Sequence, residues 1–536
     1  MLAIRGATFL QVVRRSVLLA VIAAILAPAG ASAASLVPLA SSSSWGSEPI
    51  YAASPPGDPR LFVVERGGAV RIVAGGVLRP APFLTVPNVD TSGERGLLSI
   101  AFAPDYAASG LFYVFTVAKV PDAFGGAAGD LRVVEYRRSA ANPDLADPGS
   151  ARLVLAQSHS AASNHNGGQL MFGPDGFLYV TMGDAAVSSN AQTLTNDLGK
   201  ILRIDPRKAP FAVPPSNPFV GTPGARPEIY ALGLRNPFRA SFAPNGDLVL
   251  PDVGQSSWEE VNVGRATGTA AATTLAGANL GWPTCEGVCI PANPSFVDPV
   301  FQYGHSATPS PTTGCAIIGG YVVRDPSFPG LSGRYLYGDL CRPDLRTLDL
   351  GAPGGDPRPA GLSLPAGESL LSFGEDGRGC VYAMTTATAY RVAVGPDAGA
   401  ACTQTPPAGP STPLDTTKPA LSLSARHRQR LRHALRLLAS CEEACALSAT
   451  GYLRFAAAGS SAATGSALKP LAVSAAAGQN VGLPLRLKPS PFLKAKGALR
   501  RGSKVSLRVT VSATDSSGND SQQTFRIRLS RPPGQR

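Results

Sequence analysis

The sequence predicts an all-β protein: a six-bladed β-propeller followed by a small immunoglobulin-like β-sandwich. Three observations predict it. A short hairpin signature recurs six times between residues 58 and 377. Helical periodicity is scarce over the same stretch. A separate alternating pattern, with its own turn, closes the C-terminus.

The signature is an aromatic residue, a small residue, Pro or Glu, then Asp or Asn, a turn and an alternating apolar run. It reads Phe102-Ala103-Pro104-Asp105, Phe172-Gly173-Pro174-Asp175-Gly176, Phe242-Ala243-Pro244-Asn245-Gly246 and Phe373-Gly374-Glu375-Asp376-Gly377. Degenerate copies are Asp58-Pro59-Arg60 and Ser332-Gly333-Arg334. Asp-Gly and Asn-Gly supply the positive φ that tight hairpins need, and the runs that follow are rich in Val, Tyr, Phe and Leu, which suit strands. The spacing of roughly 40–70 residues matches four-stranded propeller blades. Two packed sandwiches would distribute six similar hairpins poorly.

Arg5, Arg14 and Arg15 precede the apolar run 16–26 and the small-residue stretch Gly30-Ala31-Ser32-Ala33. This is the pattern of a secretory signal cleaved after Ala33. The run is short for a membrane span, and no later segment is long and apolar enough, so the chain is expected to be secreted or wall-associated and not transmembrane. The domains expected are a signal peptide at 1–33, a propeller at 34–394, a Pro/Thr-rich linker at 395–419 and a basic β-sandwich at 420–536. In the last, 505–513 and 524–529 alternate around a turn cluster, whereas 425–440 reads equally as helix or strand. Eight cysteines in an exported chain read as disulfides. The pairs proposed are Cys285–Cys289, Cys315–Cys341, Cys380–Cys402 and Cys441–Cys445. Zinc is disfavoured, because no histidine is spaced near the cysteines as zinc motifs require.

The net charge of +12 is unevenly spread. Residues 415–536 hold 20 basic against 5 acidic groups, whereas 34–414 hold 25 against 31. A basic appendage on an exported protein suits anionic wall polymers or membrane surfaces; a merely solvated basic face is the plain alternative. Export argues against nucleic acid.

The densest polar cluster is Asn164-His165-Asn166-Gly167-Gly168-Gln169. A histidine in a Gly-rich loop is suited to general-base work, though capping of backbone groups is the competing explanation. Of the other histidines, His159 and His305 also lie in loops, and His427 and His433 read as solvated. Asp184 ends the next strand, where a carboxylate can orient an imidazole or merely close a turn. Arg235 and Asn236 sit at a corner before Pro237; an arginine there can bind a carboxylate or polarise a carbonyl, or form a surface ion pair. Gly254-Gln255 and Trp258-Glu259-Glu260 offer turn oxygens and carboxylates of the kind calcium prefers.

Together these segments resemble the soluble quinoprotein glucose/sorbosone dehydrogenases. The ordered set is Glu94-Arg95-Gly96-Leu97 through Asp105, His165-Asn166-Gly167-Gly168, Asn196-Asp197-Leu198-Gly199-Lys200 and Gly233-Leu234-Arg235-Asn236-Pro237. Gly254-Gln255, Trp258-Glu259-Glu260, Asn279-Leu280-Gly281-Trp282-Pro283, Gly319-Gly320-Tyr321-Val322 and Tyr335-Leu336-Tyr337-Gly338-Asp339 continue it. The resemblance covers about residues 45–393. It implies pyrroloquinoline quinone (PQQ) at the mouth of the propeller axis, with hydride passing from a sugar to the quinone. By position, His165 is the expected base, Asp184 its orienting partner and Arg235 the group polarising the quinone. Glu94, Asn236 and Arg342 are expected to line the cofactor. Calcium is expected on the backbone oxygens of Gly254 and Gln255, with Glu260 serving a second, structural calcium. The segment 368–376 has no basic residue for the carboxylates of the quinone, which leaves Arg342 and Arg346 near Cys341 and Arg378 in a turn.

Two functions follow. The first is a dehydrogenase acting on aldose-type sugars and passing electrons to an external acceptor. The alternative is an inactive propeller that binds an extracellular carbohydrate or protein, as the related hedgehog-interacting proteins bind a partner.

Overall fold

The computed structural model describes residues 34–267, 273–310, 312–328, 330–394, 419–456, 467–469, 471–515 and 520–532. The expected signal peptide, Cys402, nearly all of the linker and the turn at 516–519 lie outside the described residues. No described helix is long and apolar enough to cross a membrane.

The all-β expectation holds. Successive antiparallel meanders follow chain order. One contains Leu97–Phe102, Leu111–Val117, Leu131–Arg138 and Ala146–Gln157; the next contains Gly167–Phe172, Leu178–Met182, Lys200–Ile204 and Ile229–Leu232. Then come Ser241–Phe242, Leu248–Asp252, Trp258–Gly264 and Phe301–His305, followed by Ile317–Val322, Tyr335–Asp339, Asp344–Leu348 and Arg358–Ser363. A larger sheet carries the two ends of the region. Leu370–Glu375, Val381–Thr385 and Ala389–Val394 are completed by Ala34–Pro38, the first described strand. Across a short parallel pairing (Ala52 with Gly374, Ala53 with Glu375) this half meets Pro49–Ala53, Leu61–Glu65, Ala69–Ala74 and Val77–Leu78. Pairing the earliest described strand with Ala389–Val394 joins the two ends of the region in one sheet.

Every hairpin signature falls between the first and second strands of one meander. Gly176 and Gly246 take φ of 75° and 86° there, as the Asp-Gly and Asn-Gly readings require. The first strands of the meanders pack around a buried polar centre. Arg239 is 3% exposed; its Nε donates to Ser372 Oγ (2.6 Å) and its Nη2 to the carbonyls of Ile50 (2.9 Å) and Leu98 (3.0 Å). Beside it the hydroxyls of Tyr51 and Tyr321 meet at 3.0 Å, and Gln169 Nε2 donates to Tyr51 at 2.9 Å. One buried network therefore ties first strands from five meanders.

Residues 419–532 have a core of their own, in which Leu437, Leu453, Leu507 and Ile527 are buried. One sheet contains Leu421–Ser424, Ala434–Cys441 and Val481–Arg486; the other contains Arg428–Arg430, Asp520–Ser530, Lys504–Asp515, Cys445–Ala456 and Ala472–Ala475. The ambiguous 425–440 stretch ends as a strand. Leu435, Leu437 and Ala439 are buried while Leu438 is 45% exposed, a period of two rather than 3.6. A helix, Pro489–Arg500, stands where no element was expected; Pro at its first turn is compatible with a helical start. Disulfides join Cys285–Cys289, Cys315–Cys341 and Cys441–Cys445.

Candidate functional site

His165 lies in the loop before Gly167–Phe172, with φ of 55°. Ala185 and Ala186, just after Asp184, also take positive φ, at 60° and 56°. Left-handed backbone at residues bearing a Cβ is costly and concentrates at functional sites. Glycine makes the approach between these loops possible: a side chain at Gly183 would collide with the His165 carbonyl, and one at Gly167 would press on the backbone of Thr181.

The His165 ring is 9% exposed, and its Nδ1 lies 2.7 Å from Asp184 Oδ1. Asp184 is fixed in turn. Trp282 Nε1 donates to its Oδ2 at 2.8 Å, and the Ala186 N–H to its Oδ1 at 2.8 Å. With Asp184 accepting from Nδ1–H, the Nε2 lone pair of a neutral imidazole is free to accept a proton, and Nε2 has no hydrogen-bond partner among the described residues. Trp282 was within a quoted sequence motif but had no role; its indole N–H is the missing third member of this array.

Glu94 joins this group to its neighbours. Its Oε2 accepts the His165 N–H (2.9 Å) and Asn236 Nδ2–H (3.1 Å), while Asn236 Oδ1 accepts the Gly167 N–H at 3.0 Å. Glu94 and Asn236 line a cleft of about 300 Å³ with Glu48, Arg66, Phe238, Val253, Ile318, Leu340 and Leu371. His165 sits one hydrogen bond behind that lining. The cleft has two characters: a polar wall at Glu94 and Asn236, and an apolar wall at Ala316, Ile318, Leu340 and Leu371. Arg66 is the one basic residue of the lining; its guanidinium reaches the carbonyls of Thr91 and Gly93 at 3.0 Å each.

Arg235 lies at the corner beyond Asn236. Its Nε and Nη2 donate to Gln255 Oε1 (2.9 and 2.6 Å), its Nη1 donates to the Val253 carbonyl (3.0 Å), and the guanidinium lies over the Trp282 ring, 5.9 Å from its centre. The corner is built on Asp252, whose two oxygens accept the N–H groups of Arg235 and Asn236 at 2.8 and 2.7 Å. Asp252 faces Glu260 across the antiparallel pair. Burial raises both carboxyls above the ordinary carboxylate range; the charge of Asp184 raises Asp252 further, and that of Asp252 raises Glu260. Glu260 Oε2 and both side-chain polar atoms of Asn262 are buried without a hydrogen-bond partner.

The Gly254–Gln255 turn adjoins these groups. Glu286, not anticipated from sequence, accepts the N–H groups of Gln255, Ser256, Ser257 and Trp258 at 2.7 to 3.2 Å. Burial works to raise the Glu286 carboxyl, but the four donors outweigh it and hold it below the ordinary range. The turn's donors are thus consumed internally, which leaves its carbonyl oxygens as the groups able to meet a ligand.

Arg342 is not brought to this cleft. It faces a separate one, where its Nε and Nη2 grip Asp344 (3.0 and 2.9 Å) and its Nη1 reaches the Ser310 carbonyl at 2.7 Å. Asp344, two residues along, takes the guanidinium that was expected to reach the cofactor. Arg346 lines that second cleft too. His159 Nε2–H donates to the His165 carbonyl (3.2 Å) and so supports the loop, and His305 pairs with the fully buried Glu259 at 2.6 Å.

A family model described as Glucose / Sorbosone dehydrogenase matches residues 47–360. The Hedgehog-interacting protein of Mus musculus is 31% identical over 355 residues, covering 62% of this chain and 47% of that protein. The aldose sugar dehydrogenase YliI of Escherichia coli (strain K12) is 31% identical over 230 residues, covering 42% of this chain and 57% of that protein. The chain thus spans about half the length of these curated relatives. Among solved structures, a glucose dehydrogenase aligns with a TM-score of 0.55 at 25% identity, covering 67% of this chain and 99% of that one.

Proposed function

This chain belongs to the glucose/sorbosone dehydrogenase family, and we propose that it is an exported dehydrogenase oxidising aldose-type sugars at the anomeric hydroxyl, built on a six-bladed propeller. The observation that carries this reading is the 2.7 Å contact between His165 Nδ1 and Asp184, which leaves Nε2 without a partner among the described residues, on a loop bonded to Glu94 of the cleft lining.

In this reading His165 Nε2 takes the proton of the sugar hydroxyl. Asp184 holds the ring in the tautomer with hydrogen on Nδ1 and stabilises the imidazolium that forms. Trp282 and the Ala186 N–H prevent Asp184 from turning away. Glu94 and Asn236 fix the height of the histidine loop over the cleft. The quinone, when bound, supplies the hydride acceptor. The cleft suits a flat ring system: Phe238, Ile318, Leu340 and Leu371 give apolar faces, and Arg66 is the guanidinium of the lining able to meet a carboxylate; Arg235, held by Gln255 and Val253, stands at the adjoining corner. The carbonyl oxygens of Gly254 and Gln255 would hold calcium, which when bound would supply the balance of positive charge. A second ion at Glu260 would satisfy the orphaned oxygens of Glu260 and Asn262. Arg342 has no part in this assignment. The disulfides fit an oxidising compartment, and the basic C-terminal sandwich, immunoglobulin-like in this reading, suits anionic wall polymers.

A second reading, an inactive propeller that binds an extracellular partner, is favoured by the apolar wall of the cleft, which offers no cation to a tricarboxylate. One titration separates the two. Mature protein is titrated with PQQ and calcium, then assayed on aldoses with an artificial electron acceptor. Saturable binding and sugar-dependent dye reduction are expected, with turnover falling about 10²–10⁴-fold in His165→Ala. No binding at micromolar quinone would sink the dehydrogenase.

A further inference from the structure

The cleft that holds Arg342 has a chemistry of its own. It measures about 200 Å³ and lies between the strands Phe301–His305, Tyr335–Asp339 and Asp344–Leu348. Three rings form one side: Phe301 lies 5.9 Å from Tyr303 and 5.9 Å from Tyr337, centre to centre. Its charges are not equivalent. Asp339 is spent, because its oxygens accept the N–H groups of Cys315, Ala316 and Cys341 and the Tyr303 hydroxyl. Asp344 is spent on the two-pronged grip of Arg342. Arg346 is the surplus cation: it lies beside the Tyr337 hydroxyl and 3.5 Å from an already occupied Asp344 oxygen, with 24% of its side chain exposed.

We infer that this cleft is a binding site for a carboxylated sugar, a uronic acid or a uronate unit at the end of a glycan. The apolar face of a pyranose ring stacks on aromatic side chains. A guanidinium with uncommitted N–H groups takes a carboxylate through two parallel hydrogen bonds. The cleft backs onto the same segment, 338–342, whose Leu340 lines the axial cleft, and the Cys315–Cys341 bridge holds that shared wall. The choice of a sugar over another carboxylate rests on the sugar-oxidising reading; the site itself does not.

The test is calorimetric titration of the mature chain with glucuronate, glucose and acetate, in wild type, Arg346→Gln, Arg346→Lys and His165→Ala. Glucuronate is expected to bind at least tenfold more tightly than either control. Arg346→Gln is expected to abolish that preference, Arg346→Lys to retain part of it through charge alone, and His165→Ala to leave it intact. Equal binding of glucose and glucuronate, or an unchanged Arg346→Gln, overturns the site. Acetate binding as tightly as glucuronate overturns the sugar. Wild-type chain that binds glucuronate but reduces no dye with any aldose would count against the dehydrogenase and leave this site standing.

Discussion

At the scale of single residues, the site depends on who holds Asp184. Its Oδ1 serves both His165 and the Ala186 N–H, and its Oδ2 serves Trp282. Asp184→Asn keeps the size but presents an amide, which can donate to Nδ1 and so places the ring proton on Nε2, the wrong nitrogen for a base. Turnover is expected to fall by about 10²–10⁴ with the sugar KM little changed. Trp282→Phe removes one hydrogen bond to a charged acceptor and should cost roughly tenfold. Steady-state kinetics on the two variants checks the order; a Trp282 effect larger than that of Asp184 would contradict it. Sequence made His165 and Asp184 legible because a Gly-rich polar loop and a strand-end carboxylate are each locally unusual. It could not place Arg342. A guanidinium's destination depends on which acceptor is nearest in space, and the competing carboxylate, Asp344, lies only two residues away.

At the scale of elements, the strands Leu248–Asp252 and Trp258–Gly264 put two acids opposite each other in the interior. Both carboxyls are raised by burial, so the folded protein binds protons that the unfolded chain has released. That contribution to stability is fully present below the unfolded value of about 4 and is lost as pH rises through the raised folded values. Calcium-free protein is therefore expected to lose melting temperature between pH 5 and pH 8. Calcium should restore more at pH 8, where its carboxylate ligands ionise at less cost, and Glu260→Gln should flatten the pH dependence. Thermal melts with chelator or calcium at the two pH values measure this; a calcium effect equal at both would refute the assignment of Glu260. The strands themselves were legible because alternation and Asp-Gly turns are local signals. The helix Pro489–Arg500 was not: only Ala495, Ala498 and Leu499 of it are buried, too narrow a stripe to announce a period.

At the scale of the molecule, Arg239 is the residue through which separate meanders become one body. Burial lowers its guanidinium to about 10, still charged at neutral pH, with no carboxylate among its hydrogen-bond partners in the described residues: its acceptors are carbonyls and a hydroxyl. The motif around it was legible, but its role was not, because its acceptors are up to 189 residues away. Arg239→Met keeps most of the stem's volume and removes every donor. The change relieves the cost of burying a cation, yet it takes the buried donor from the Ile50 and Leu98 carbonyls, while the Ser372 hydroxyl keeps its bond to the Phe373 carbonyl. An unmet buried polar group costs about 1–3 kcal/mol, so the loss at the two carbonyls exceeds the relief and a net destabilisation on the order of 3 kcal/mol is expected. Arg239→Lys should rescue little, since one ammonium cannot reach acceptors that diverge from a planar fork. Calorimetry of the intact chain should show the transition of residues 34–394 lowered by roughly 5–10 °C. Residues 419–532, whose core is separate, should melt unchanged. If both transitions hold their temperatures, the meanders are held together by their apolar packing alone and the polar centre only fills the axis.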